Sequence, residues 1–190
     1  MKKNKVKTAL SVLLGAAGGY ALYYWVVMEI IARWCTTGAL YVILSVLCLS
    51  MCVIGLSALI YLLLSGRIKK QVLWLLIAAY FGALAIILFG RSALGGVFEW
   101  NPLAGILDLA DAEMRWQSIL NFAAFLPMGY FFRKLNAKQT LLWSVALSVA
   151  LELLQALTMR GMFDTFDIIL YVLGINLGAI VFRKWKFEVV

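Results

Sequence analysis

The sequence predicts an all-α integral membrane protein: a six-helix transmembrane bundle with a short amphipathic interfacial helix in its long outer loop. Three observations predict it. The chain is 65% hydrophobic over 190 residues, with a mean hydropathy of +0.97, well above the range of a soluble domain. Apolar runs near membrane-spanning length recur six times. The basic residues sit in short clusters between those runs, so the net charge of +8 reads as membrane topology and not as a nucleic-acid surface.

A spanning helix needs roughly 17–25 predominantly apolar residues. The candidates are Thr8–Met28, Ala39–Leu64, Val72–Phe89, Ser118–Phe132, Thr140–Met159 and Phe166–Phe182. In the first, "LLGAAGGYA" also offers small residues for signal-peptide cleavage. The apolar run continues through Tyr24, Trp25 and Met28, so a retained span is expected. Gly15 and Gly19 lie four apart and allow close helix approach. The second span carries Cys48 and Cys52 one turn apart, which reads as packing. Cys35 has no evident partner in its loop, so no disulfide is expected.

The loop from Gly90 to Gln117 is too long to be structureless. Asn101-Pro102 supplies an N-cap and a proline at the first helical position. Leu103, Ile106, Leu107, Ala110 and Met114 recur at near-helical spacing. They predict a short helix on the membrane surface, bracketed by Trp100 and Trp116. The fourth span is the shortest and carries Pro127, which predicts a kink. Gly161 is expected to end the fifth helix, with Arg160 in its last turn. The sixth begins at Asp164 or just after, and Asp167, Tyr171, Gly174 and Gly178 (the last two another close-approach pair) share one stripe. No internal repeat or linker divides the chain, so one domain is expected over 1–190, with 1–89 forming its N-terminal helices and 90–182 its core.

Lysine and arginine assign an orientation. Lys2, Lys3, Lys5, Lys7, Arg67, Lys69, Lys70, Arg133, Lys134, Lys138, Arg183, Lys184 and Lys186 fall on one side, 13 residues against four, Arg33, Arg91, Arg115 and Arg160, on the other. By the positive-inside rule both termini are cytoplasmic.

The remaining polar residues then converge. Glu152 lies 14 residues beyond Lys138, about 21 Å along the axis at 1.5 Å per residue, in the outer third of the hydrocarbon. Gln155 shares its face. Arg91, Asn121, Glu152, Gln155, Arg160, Asp164 and Asp167 all map to that depth. An intramembrane ionisable residue is by default a functional-site hypothesis. Structural readings stand beside it: Asp164 and Asp167 suit a helix N-terminus, Arg160 suits a C-terminus, and Glu152 could fasten the bundle to an arginine. The chain has no histidine, which removes Ser-His-Asp triads, Cys-His dyads and His-ligated zinc. Asp164 and Asp167 alone are a weak cation signal, so neither metal nor cofactor is expected.

The ordered set Arg91-Ser92, Asn101-Pro102, "NFAAFLPMG" with Asn121, Phe125, Pro127 and Gly129, "ELLQ" with Glu152 and Gln155, then Arg160 and "DTFDIIL" with Gly174 and Gly178, resembles the VanZ-like family of membrane proteins. The resemblance covers roughly residues 90–180, which makes 90–182 a VanZ-like core. One position departs: the family usually has Asn four residues after the Asp matching Asp167, and here it is Tyr171. The family's founding member is associated with resistance to glycopeptide antibiotics, teicoplanin more than vancomycin. The resemblance therefore implies a role at the outer face of a bacterial cell membrane, near lipid-linked wall precursors or a lipid-anchored drug, and implies no mechanism.

The expected function is binding or modification of an amphiphilic ligand at the outer leaflet: a membrane lipid, a lipid-linked precursor or a lipoglycopeptide, with no nucleic acid. Arg91 and Arg160 would engage an anionic headgroup, and Asn121 and Gln155 would orient it. Asn101, Asp164 and Tyr171 complete the candidate ligand contacts. Glu152 and Asp167 are the candidate acid or base. A non-enzymatic sequestering or accessory role, and a purely structural polar lock, stand as alternatives, and enzyme status stays open. A transporter is disfavoured, because no ionisable residue lies in the inner half of any span.

Overall fold

Leucine-, valine- and alanine-rich runs bury no polar side chain when they coil, and hydrocarbon leaves backbone amides no partner but their own carbonyls. The computed structural model, which describes residues 2–28, 31–32, 38–89, 98–185 and 187–190, is accordingly almost all helix. Helix α1 is Lys2–Leu22 and continues as one π-helical segment, Tyr23–Val27. Then come α2 (Ala39–Ser65), α3 (Lys70–Phe89), α4 (Pro102–Asp108), α5 (Ala112–Phe125), α6 (Gly129–Phe132), α7 (Ala137–Leu157) and α8 (Thr165–Lys184). Four two-residue strands pair in parallel: β1 (Arg67–Ile68) with β4 (Glu188–Val189), and β2 (Phe98–Glu99) with β3 (Phe163–Asp164).

Among the described residues, five helices are long and apolar enough to cross a membrane: Lys5–Val27, α2, α3, α7 and α8. The expected fourth span differs in form. It starts earlier, at Ala112, and is broken, not kinked, between α5 and α6. Pro127 has no N–H to give to the preceding turn. The chain crosses residues 126–128 with bonds three residues apart, from Leu126 N to Ala123 O (3.2 Å) and from Gly129 N to Leu126 O (3.1 Å). The outer-loop helix is also shorter than its apolar repeat implied. Asp111 caps α5 through Glu113 N and Met114 N, so Met114 belongs to α5 and Ala110 lies between the two helices.

The chain groups into two compact units, Met1–Gly82 with Phe187–Val190, and Ala83–Lys186. In the first, α1 packs along α2. A methyl at Gly19 would stand 2.6 Å from Val53 Cα. Strands β1 and β4 join the loop after α2 to the C-terminal tail, and Arg67 Nε meets Glu188 Oε2 at 2.9 Å.

In the second unit the contacts fix the helix directions. Asn121 bonds Asp167, Gly129 lies against Gly178 and Ala179, and Leu135 O accepts from Arg183. The interrupted α5–α6 segment therefore runs parallel to α8 from residue 167 to 183, about 24 Å of helix. Helix α7 runs antiparallel to it, with Thr140 near Arg183 and Ser144 near Asn176. Close approach is paid for in glycine: a methyl on Gly178 would collide with Leu126 O, and one on Gly174 would lie 2.5 Å from Phe122 O. Strands β2 and β3 tie the long loop to the α7–α8 connection.

Candidate functional site

Helix α7 is polar along one face. Thr140, Ser144, Ser148, Glu152 and Gln155 follow at steps of four, four, four and three, and all five are buried. Two of them carry the site. Glu152 is 1% and Gln155 2% exposed.

Each is half satisfied. Glu152 Oε2 accepts from Asp164 N at 3.0 Å. The Tyr171 side chain faces the same carboxyl as a donor, and Asp164 and Asp167 stand close enough to act on it electrostatically. Oε1 nevertheless has no partner in hydrogen-bond geometry. Gln155 Nε2 donates to Leu88 O at 2.8 Å. That carbonyl can only accept, which fixes the amide's orientation and leaves Gln155 Oε1 without a partner. A buried acceptor left unmet costs about 1–3 kcal/mol, so the pair is a standing demand for a donor.

Helix α8 supplies the other wall. Asp164 caps it through Phe166 N at 2.7 Å, the capping role that its position suggested. Asp167 is 9% exposed, and its Oδ1 accepts from Asn121 Nδ2 of α5 at 2.7 Å. Tyr171 is 1% exposed and stacks on Phe125, ring centres 4.0 Å apart. Around Glu152 the structure thus gathers Asp164, Asp167, Tyr171 and, through Asp167, Asn121. Among the described residues no group of three or more His, Cys, Asp or Glu side chains is placed to hold a metal ion.

Other expected residues are placed apart. Helix α7 ends at Leu157, before Arg160, and the left-handed residue is Met159 (φ 56°) instead of a glycine. Arg160 is exposed beyond the helix, its N–H bonded to Gln155 O. Gly161 is buried over Gln155, where a methyl would stand 3.2 Å from Nε2. A Cβ there would push the Gln155 side chain aside by a few tenths of an ångström. Asn101 is exposed and caps α4 through Leu103 N at 3.1 Å. Arg91 lies outside the described residues.

The rest of the row was missed in the sequence. Arg183 donates to Thr140 Oγ1 at 2.8 Å and Asn176 to Ser144 Oγ at 2.9 Å, while Ser148 Oγ is buried with no partner. Charge marks a buried polar position in an apolar run, and hydroxyls carry none. The spacing 140, 144, 148, 152 was the available signal.

Fold and site together define a multi-pass helical membrane protein with a buried carboxyl site between two spanning helices. The chain belongs to the VanZ/LLP1 family, whose model matches residues 42–186. The match reaches back into α2, further than the motifs that begin near residue 90. No curated protein and no solved structure matches the chain.

Proposed function

We propose that this VanZ-like protein binds or modifies an amphiphilic ligand at the outer leaflet of a bacterial membrane, and so lowers susceptibility to teicoplanin-type antibiotics. The ligand is a lipid-linked cell-wall precursor or a lipoglycopeptide. The observation that carries this reading is the Glu152 carboxyl, buried beside two further carboxyls with one oxygen unused. A lock between helices has no need of an idle acceptor at that depth, where every buried polar group is expensive. Glu152 and Asp167 are the acid–base or ion-pairing groups, and Asn121 and Gln155 orient them and the ligand.

One observation favours a second reading, a non-enzymatic accessory of the cell envelope. Glu152 Oε2 and Asp167 Oδ1 already hold internal donors, as a purely recognising or fastening site would.

The test is antibiotic susceptibility conferred by each variant, normalised to protein in the membrane. Glu152→Gln keeps shape and hydrogen bonding. It is expected to restore the susceptibility of cells lacking the protein, with membrane level intact, and Asp167→Asn is expected to match it. Full protection by Glu152→Gln at normal level would remove the reading. The outward placement predicts that a cysteine at Ala112 is labelled from outside the cell and one at Asn136 is spared.

A further inference from the structure

We infer that the basic end of the second unit holds an anionic phospholipid, its acyl chain in an apolar groove and its headgroup on the bases at the groove's mouth. This site is separate from Glu152, which lies 12 residues beyond Thr140, about 18 Å further along α7. The groove, about 390 Å³, opens between the end of α6 and the first three turns of α7 and is lined by Phe132, Trp143, Ala146 and Leu147. That volume falls within the range of ligand sites, about 300–1,000 Å³, and no polar side chain lines it. Trp143 and Leu147 are 5 and 9 residues beyond Lys138, about 8 and 14 Å along the axis. Half of a bilayer's hydrocarbon is about 15 Å thick, so the groove spans the acyl region of one leaflet. At its mouth Phe132 is followed at once by Arg133 and Lys134, and Lys138 lies in the first turn of α7. Contacts bring the end of α8 to the same place. Arg183 Nη2 donates to Leu135 O and to Thr140 Oγ1, both at 2.8 Å, and the Tyr130 and Phe182 rings meet at 5.6 Å. Arg133 Cζ sits 3.6 Å from the centre of the Tyr130 ring, which orients that guanidinium within the rim. Lys134, Lys138 and Lys184 are exposed. No Asp or Glu occurs at 126–151 or 168–187, and the next acid, Glu188, meets Arg67. Basic clusters mark the cytoplasmic side of membrane proteins in general; the groove beneath this one sets it apart. A second copy of the chain would bring the same positive rim to the contact and be repelled. A soluble anion would leave the groove empty. A phospholipid of net negative charge answers both features.

In the test, detergent-solubilised protein is equilibrated with equal phosphatidylglycerol and phosphatidylcholine of matched chains, and retained lipid is counted by mass spectrometry. A base beside an anionic headgroup is worth about fivefold in affinity. The wild-type protein is therefore expected to prefer phosphatidylglycerol about tenfold, and less in strong salt. Excess glycerol phosphate, which carries the headgroup's charge without its chains, is expected to leave the lipid in place. These measurements need no variant. Lys134→Gln combined with Lys138→Gln, both exposed, should bring the preference close to parity. Ala146→Trp fills the groove and should lower retention of both lipids, read on protein that is monodisperse by gel filtration. Glu152→Gln should leave the preference unchanged, so this inference and the proposed function fail separately. Equal retention of the two lipids by the wild-type protein would overturn the inference. So would a preference that survives the double lysine change, displacement by glycerol phosphate, or full retention in Ala146→Trp.

Discussion

The α1–α2 pair and the α7–α8 pair both bring apolar helices into close contact, with different residues. Between α1 and α2 the contact is made mainly by shape, with a hydrogen bond from Lys7 Nζ to Leu64 O (2.7 Å). Gly15 and Gly19 admit the backbone of the partner helix at Ser57 and Val53, and hydroxyls such as Ser11 and Ser50 bond back to their own helix at Thr8 O and Val46 O. Between α7 and α8 the contact is polar. Ser144 meets Asn176, Thr140 meets Arg183, and Glu152 meets the first residues of α8. Lipid tails are as apolar as leucine, so shape alone suffices to join helices in a bilayer. The first pair comes close to that. Polar residues in the second pair therefore exceed what packing requires, and the proposed site accounts for that excess.

The comparison can be broken most severely at Gly178. There the polar unit depends on shape as strictly as α1 and α2 do. In Gly178→Val the new Cβ runs into Leu126 O, a backbone atom that cannot turn aside. Overpacking usually costs about 1–3 kcal/mol, and here the obstacle puts the cost at about 3 kcal/mol or above. The yield of folded protein by gel filtration in detergent should collapse. A normal yield would show that the α5–α8 contact is looser than its glycines imply.

Next in size is Asn121→Leu, which strips the donor from Asp167 Oδ1. Leaving that acceptor buried costs about 1–3 kcal/mol, read as a lower midpoint of thermal unfolding. An unchanged midpoint would make the polar interface as indifferent to its hydrogen bonds as the apolar one. Smallest is a matched pair on the shape-held side. A methyl at Gly55 would have nothing within 4 Å, so Gly55→Ala should stabilise by up to about 1 kcal/mol through helix propensity. Gly15→Ala, whose methyl would meet Ser57, should destabilise. Two changes of the same sign would mean that close approach does not hold that pair together.

Much of this was legible in the sequence. Five of six expected spans coincide with long helices because apolar length is a composition signal and needs no tertiary knowledge. Asn101-Pro102 marked the start of α4, and Asp164 the cap of α8, because capping is local chemistry. The break at residues 126–128 was not legible as such. Proline announces a disturbance, but whether a helix bends or stops depends on what packs there, and here Gly129 and Gly178 let the two segments press together. The end of α7 was misplaced for a related reason. Glycine is the usual C-terminal signal, yet Met159 takes the left-handed conformation and Gly161 is reserved for contact with Gln155. Arg160 accordingly could not be placed by counting turns. The half-satisfied state of Glu152 and Gln155 depends on partners 12 and 67 residues away, which no local pattern encodes.

The partners of Glu152 carry a consequence for how the chain is made. Its donors, Asp164 N and the Tyr171 side chain, both follow it in sequence. Helix α7 therefore leaves the ribosome ahead of them. For that interval the nascent segment holds a carboxyl that has no counterpart yet, and it must wait near the exit of the translocation channel or be hydrated there. Release of α7 into lipid is less costly once the first two turns of α8 have followed it. A chain truncated between residues 157 and 164 would keep an apolar helix whose Glu152 carboxyl is uncovered.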